Sequence, residues 1–312
     1  MRAETGRCHP VRRGGSGTLM APVTGAMREP CSPHELLYRT LRDQQYCDVL
    51  VDRMAGFPFR DEIVALADSV APRRALADPI FEESPDQAPL LVRLPVGEIA
   101  LIEQILAQAL ADADSPAVQT RPICAFVFSQ LGLDRLAAHL TRSMNLRVEG
   151  QGNIYFRFFD PRVAHHLARI LTPEQLAGIF PGVRHWAYVD PAGRLRIADH
   201  AAAPPGLFAP TLTAAQWQEL ARIEAFNLAV RLLRQAGHLL DDGTEQDIHH
   251  ALRAAQAAGL ASSADQATYA AWSVAHGDAF RSRPDLAASI GTAVDNGIPL
   301  ADVLEQHIGR SL

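Results

Sequence analysis

The sequence predicts an α/β (α+β) lobe with a mixed β-sheet, followed by an all-α lobe. Three observations carry that expectation. Strand-like and helix-like runs alternate up to about residue 199, a Pro-rich stretch "HAAAPPGLFAPTL" (200–212) breaks every period, and no run beyond it reads as a strand. The implied division is a disordered or extended N-terminus over 1–31, an α/β domain over 32–199, a linker over 200–212 and a helical lobe over 213–312.

Residues 1–31 hold Gly, Pro and Arg but no apolar run of the kind a secretory signal needs, and they read as disordered or as an extension upstream of a start at Met20 or Met27. Order begins at "SPHELLYRTLRDQ", where Ser32 and Glu35 form a capping-box pattern and Pro33 suits the first turn. "YCDVLVD" (46–52) reads as a strand, "RDEIVALADSV" as a helix and "PLLVRLP" (89–95) as a short apolar strand. Ile99, Ile102, Leu106 and Leu110 then recur at helical spacing. "ICAFVFS" (123–129) is the most continuously apolar strand, and Leu133, Leu136, Leu140 and Met144 mark one face of the helix after it.

A hairpin follows, "NLRV" and "IYFRFF" joined through Gly150 and Gly152. Asp160 and Pro161 are placed to start a helix, as are Thr172 and Gln175 in "TPEQLAGIF". "RHWAYVDPAGRLRIAD" reads as a second hairpin. In the helical lobe Trp217, Leu220, Ile223, Phe226, Val230 and Leu233 form one stripe, and four shorter helices follow, separated by Gly or Asn.

Composition narrows the function. The chain has 312 residues with a formal net charge of -6, the wrong sign for a nucleic-acid binder. All its basic residues are Arg, as a GC-rich coding bias would give. Cys8, Cys31, Cys47 and Cys124 lack metal-ligand or CxxC spacing, and Cys47 and Cys124 lie in apolar runs, which fits a reduced, cytoplasmic protein. No stretch approaches a membrane span, so no membrane partner is expected.

Motifs for nucleophilic, phosphate or metal chemistry are missing: no G-x-S-x-G, no P-loop, no G-x-G-x-x-G after a strand, no H-E-x-x-H. His165-His166 and His249-His250 are adjacent pairs whose members diverge by about 100° on a helix. Glu245 and His249 have i, i+4 spacing, yet an acid in a first helical turn has its own electrostatic reason. No cofactor, metal or catalytic residue is expected. Asp48, Asp52 and Asp160 sit at strand ends, where an enzyme would place acids, so an enzyme using an Asp/Arg cleft is the alternative.

The stretch "YFRFFDPRV" is the densest feature. On a continued strand Phe156 and Phe158 share one face, and Tyr155, Arg157 and Phe159 the other. Aromatics beside arginine are over-represented in protein interfaces, so Tyr155, Arg157, Phe159, Asp160 and Arg162 form the candidate partner-binding patch. Because a corner needs only Asp160 and Pro161, the arginines are expected to bind, with Arg157→Ala leaving stability nearly unchanged. Trp186 is expected in the core.

"FRFFDPRVAHHLARILTPEQLAGIFPGVRHW" resembles the signature region of the bacterial family of domain of unknown function 4123, through Phe156, Arg157, Phe158, Asp160, Pro161, Arg162, Pro173, Glu174, Gln175 and Trp186. "APLLVRLP" and "RPICAFVFSQLGLDRLAAHLTRSMNLRV" are similar to the family's upstream segments, so the resemblance covers roughly residues 36–190. It implies a non-enzymatic, cytoplasmic adaptor or chaperone of the type VI secretion system. Such a protein binds one effector (toxin) and helps load it onto the valine-glycine-repeat spike protein. A two-lobe layout would supply a cleft for the task. An immunity or regulatory protein would instead inhibit a toxin.

Overall fold

The computed structural model describes residues 32–56, 59–67, 71–115, 120–200 and 210–308. The expected disordered segment 1–31 lies outside the described residues, as does most of the expected linker, 201–209. The described lobes belong to one compact unit, Pro33–Leu312.

The first lobe runs α1 (Pro33–Gln44), β1 (Tyr46–Val51), α2 (Arg60–Ala67), β2 (Arg73–Ala75), β3 (Leu90–Pro95) and α3 (Ile99–Asp114). It continues through β4 (Ile123–Ser129), α4 (Leu133–Ser143), the hairpin β5 (Asn145–Val148) and β6 (Gly152–Tyr155), α5 (Pro161–Ile170), α6 (Pro173–Ile179) and the hairpin β7 (Val183–Val189) and β8 (Leu195–Asp199). Six strands form one sheet in the order β2-β3-β1-β4-β7-β8, every pair antiparallel. A small second sheet has the order β6-β5-β9, where β9 (Thr211–Leu212) runs parallel to β5. The mixed pairing of the lobe therefore resides in the small sheet, and the end of the Pro-rich stretch contributes a strand to it.

Strand alternation sorts the core into two layers. Cys47, Val49 and Val51 face Leu37 and Leu41 of α1 and Ile102 and Ile105 of α3. Leu50, Val127 and Trp186 face the other way, toward Leu136 and Leu140 of α4, Leu146 of the small sheet and Leu167 of α5. Central β4 is buried along its whole length, as its apolar run predicts. Trp186 lies in the core at 1% exposure, and Cys47 and Cys124 are buried thiols whose pKa burial pushes up. The inward Asp48 is neutralised by Arg93 directly opposite it in the β1–β3 register, through a two-pronged contact at 2.7 and 2.8 Å.

The second lobe comprises α7 (Ala214–Ala221), α8 (Ile223–Gln235), α9 (Asp242–Ala257), α10 (Ser263–His276), α11 (Asp278–Arg281), α12 (Leu286–Asn296) and α13 (Leu300–Ile308). Its core gathers Phe226, Val230, Leu233, Ile248, Leu252, Trp272 and Leu304. The long apolar stripe predicted as one helix is broken at Arg222 into α7 and α8. The physical reason is that the stripe serves two cores. Leu220 and Ile223 pack with the α/β lobe, whereas Ala225 and Phe226 begin the helical core. Among the described residues no helix is long and apolar enough to cross a membrane.

Candidate functional site

The Asp160 corner forms because three local choices agree. Gly150 and Gly152 adopt φ of +77° and +90°, which the turn between β5 and β6 requires and other residues resist. The β6 strand stops at Tyr155, after which Phe156 N donates to Met144 O at 2.7 Å. Asp160 then caps α5 by accepting from Arg162 N at 3.0 Å, with Pro161 in the first turn.

Ending the strand at Tyr155 corrects the predicted two-faced alternation. Phe156, Phe158 and Phe159 are all buried. Phe158 sits at the centre of an aromatic cluster, with ring centroids 5.6 Å from Phe180, 5.8 Å from Phe159 and 6.0 Å from Trp186. Phe159, proposed from the sequence as a contact residue, is 1% exposed and belongs to this core. It still supports the corner, because the Arg157 guanidinium lies 5.5 Å from its ring centroid.

The charges around the corner form a short chain. Arg157 pairs with Asp52 at 2.5 Å and lies 3.7 Å from Asp160. Arg162 reaches both Asp160 oxygens, at 2.9 and 2.5 Å. Donating to Asp160 raises the Arg162 pKa despite burial. Asp52 also accepts from Met54 N at 3.0 Å, and its side chain is only 3% exposed. The expectation that Arg157→Ala spares stability is therefore replaced. Removing Arg157 leaves a buried carboxylate without its guanidinium, and a loss of about 1–3 kcal/mol is expected in a urea titration. A change below about 0.5 kcal/mol would return Arg157 to the surface-contact role.

Tyr155, Arg157, Asp160 and Arg162 line a cleft of about 500 Å³ between the two lobes. Its other walls are the C-terminal end of α3, Arg121, the turn at Pro191, and α7 with α8. Five arginines (121, 157, 162, 231 and 234) face two acids, Asp160 and Glu224, on this lining, whereas the whole chain is net negative. Burial pushes the Arg121 pKa down, and the neighbouring Arg162 pushes it the same way. Burial also pushes the Tyr155 hydroxyl up to about 12. Arg121, Arg231, Arg234 and Asn227 are cleft residues that sequence reasoning missed. They come from separate segments and carry no shared motif.

A second cluster joins the lobes. His165, Asp190 and Glu245 bring one ligand atom each within 4.8 Å of one another, a grouping not foreseen from the paired histidines. Arginines neutralise it: Arg194 and Arg196 each donate from Nε to Asp190 Oδ2 at 2.9 Å, and Arg194 also reaches Glu245. Arg196 continues to Asp242 at 2.5 Å, and His165 Nε2 lies 2.8 Å from Glu245. With two guanidiniums on its central carboxylate, the cluster acts as an ion-pair lock between β7–β8 and α9. Arg234 adds a further tie by donating to Asp114 O at 2.9 Å and to Asp114 Oδ1 at 2.8 Å.

Aromatic and imidazole rings finish the seam. His249 of α9 stacks on Phe226 at 4.5 Å, and buried His166 of α5 packs edge-on against both. Burial, helped by Arg169, lowers His249 to about 3, and burial lowers His200, stacked on Phe180, to about 4. In the unfolded chain both would titrate near 6.5. Between about pH 6.5 and 4 the unfolded state thus binds more protons, so stability falls with falling pH. Glu219 adds a loss of the same sign at lower pH, from a different cause. Burial pushes it up, but Arg169, Arg253 and Arg222 outweigh this and bring it down to about 2. Its contribution is present above about pH 4.5 and lost between there and 2. The urea midpoint is therefore expected to drop from pH 7 to 5, and His249→Phe to flatten the drop. A midpoint constant over that range would contradict the neutral seam.

No curated protein and no solved structure matches the chain. The stretch from β1 to α6, residues 49–178, matches the family model described as Domain of unknown function (DUF4123).

Proposed function

We propose that this chain is a non-enzymatic, cytoplasmic adaptor that binds one type VI secretion effector and helps load it onto the valine-glycine-repeat spike protein. The observation that carries the reading is the position of the family-like corner. Arg157, Asp160 and Arg162 lie within the matched domain and line the inter-lobe cleft. A concave surface with apolar walls and a few convergent polar groups suits the temporary covering of an effector segment that would otherwise meet water. Asp160 supports binding over catalysis, since its oxygens accept from Arg162 N, Nε and Nη2 and it serves as a helix cap.

The test is deletion of the gene in the native bacterium, paired with pull-down of the tagged chain and mass spectrometry. An adaptor predicts that one effector stays in the cell and co-purifies in stoichiometric amount. Unchanged secretion of every effector would remove the reading. Self-poisoning on deletion would indicate an immunity protein. A substrate-dependent activity abolished by Asp160→Asn would indicate an enzyme.

A further inference from the structure

The adaptor reading leaves the chemistry of the bound segment open, and three features of the cleft bear on it. The first is Arg231 on α8. Arg157, Arg162 and Arg234 are engaged by Asp52, Asp160 and Asp114, whereas the Arg231 side chain makes no hydrogen bond or ion pair with any described residue. A guanidinium held on a concave wall without a partner is matched by a carboxylate or another planar anion.

The second feature is a complementary pair of buried polar atoms. Tyr155 Oη and Asn227 Oδ1 both belong to lining residues, and neither has a hydrogen-bond partner among the described residues. Buried polar atoms are nearly always satisfied, so each points to a group the described chain does not provide. One is an O–H donor and the other an acceptor. A peptide backbone supplies the matching C=O and N–H together. The third is the apolar wall of Trp217, Leu220 and Leu228, which requires apolar side chains on the occupant.

We infer that the cleft takes an acidic and apolar peptide segment of the effector, with a carboxylate on Arg231, apolar side chains on Trp217 and Leu228, and backbone groups on Tyr155 and Asn227. This inference rests on the adaptor reading and gives its partner a chemistry. The chain's own two longest segments outside the described residues do not fit. Residues 1–31 carry five arginines against two glutamates, and residues 201–209 carry no charge. The occupant is a separate protein.

The experiment selects random short peptides displayed on phage against the full chain. A peptide synthesised from the enriched set is then titrated while Trp217 emission is followed. The other two tryptophans, Trp186 and Trp272, are buried in the two cores, so Trp217→Phe is expected to abolish the signal. Enriched peptides are expected to combine Asp or Glu with large apolar residues. Arg231→Glu is expected to weaken binding at least about tenfold, and Arg231→Lys less, with melting temperature unchanged.

Failure to enrich any peptide, enrichment of peptides without acids, or binding indifferent to Arg231→Glu would overturn the inference. So would full displacement by free glutamate or inorganic phosphate, which would mark a small-anion site. The adaptor reading is judged separately. If the native pull-down recovers an effector equally well with Arg231→Glu, the cleft assignment fails and the adaptor stands. If the pull-down recovers no effector, the adaptor reading fails, and the selection still decides what the cleft binds.

Discussion

Phe158→Ala is expected to cost about 3–5 kcal/mol, enough to unfold much of the α/β lobe near physiological temperature. Phe158 is completely buried and lies between Phe156, Phe159, Phe180 and Trp186, at ring separations of 5.6–6.3 Å. Truncation removes the transfer free energy of a phenyl ring and opens a cavity that the surrounding rings cannot close without leaving their own packing. It also loosens the segment that aims Arg157 and Asp160 into the cleft. Urea unfolding followed by far-UV circular dichroism measures the loss. Phe158→Leu should recover more than half of it, because it restores most of the volume. A loss under about 1 kcal/mol for the alanine variant would show that the aromatic cluster is not the keystone of the corner.

Asp190→Ala is expected to cost a similar amount, about 3–5 kcal/mol, by a different route. Asp190 is fully buried and accepts from Arg194 N and from the Nε atoms of Arg194 and Arg196, each at 2.9 Å. Without the carboxylate those two guanidiniums remain close together, and among the described residues their only anionic partners are Asp242 and Glu245 of α9. The hairpin turn also loses the side-chain acceptor that holds it closed. Thermal melting should drop by many degrees, and limited proteolysis should cut between β7 and β8 earlier than in the parent. Asp190→Asn distinguishes shape from charge. It keeps an acceptor for Arg194 N, so a loss equal to that of the alanine variant would assign the whole effect to the missing negative charge.

The parts of this fold legible in the sequence are those decided by neighbours along the chain. Asp160 and Thr172 announce their helices because caps act over three residues. β4 announces itself through seven apolar or small residues in a row. β2 and β9, of three and two residues, are too short for any period to register. The end of β6 at Tyr155 was hidden because "IYFRFF" carries strand-like residues throughout, and tertiary packing of Phe158 overrides that preference.

At the candidate site the division is the same. Arg157, Asp160 and Arg162 stood out as a compact motif, but the partner that decides what Arg157 does, Asp52, lies 105 positions away. Arg121, Asn227 and Arg231 are single residues on elements that only folding brings to one cleft. The lone arginine of a helix surface and the lone arginine of a binding wall look alike in sequence. Only the absence of a neighbouring acid in three dimensions separates them.

The break at Arg222 bears on where this protein can be divided. The Pro-rich stretch invites a cut near residue 200, yet Leu212, Leu220 and Ile223, which follow it, are interior residues of the first lobe. A fragment ending before them would present the matching apolar faces of β5, α4 and α5 to water and would tend to aggregate. The other fragment would begin with a helix, α7, whose greasy side has no counterpart in its own lobe. Ownership of side chains changes hands between Ile223 and Ala225, one position into α8, so the lobes are dovetailed through a shared helix rather than strung on a tether.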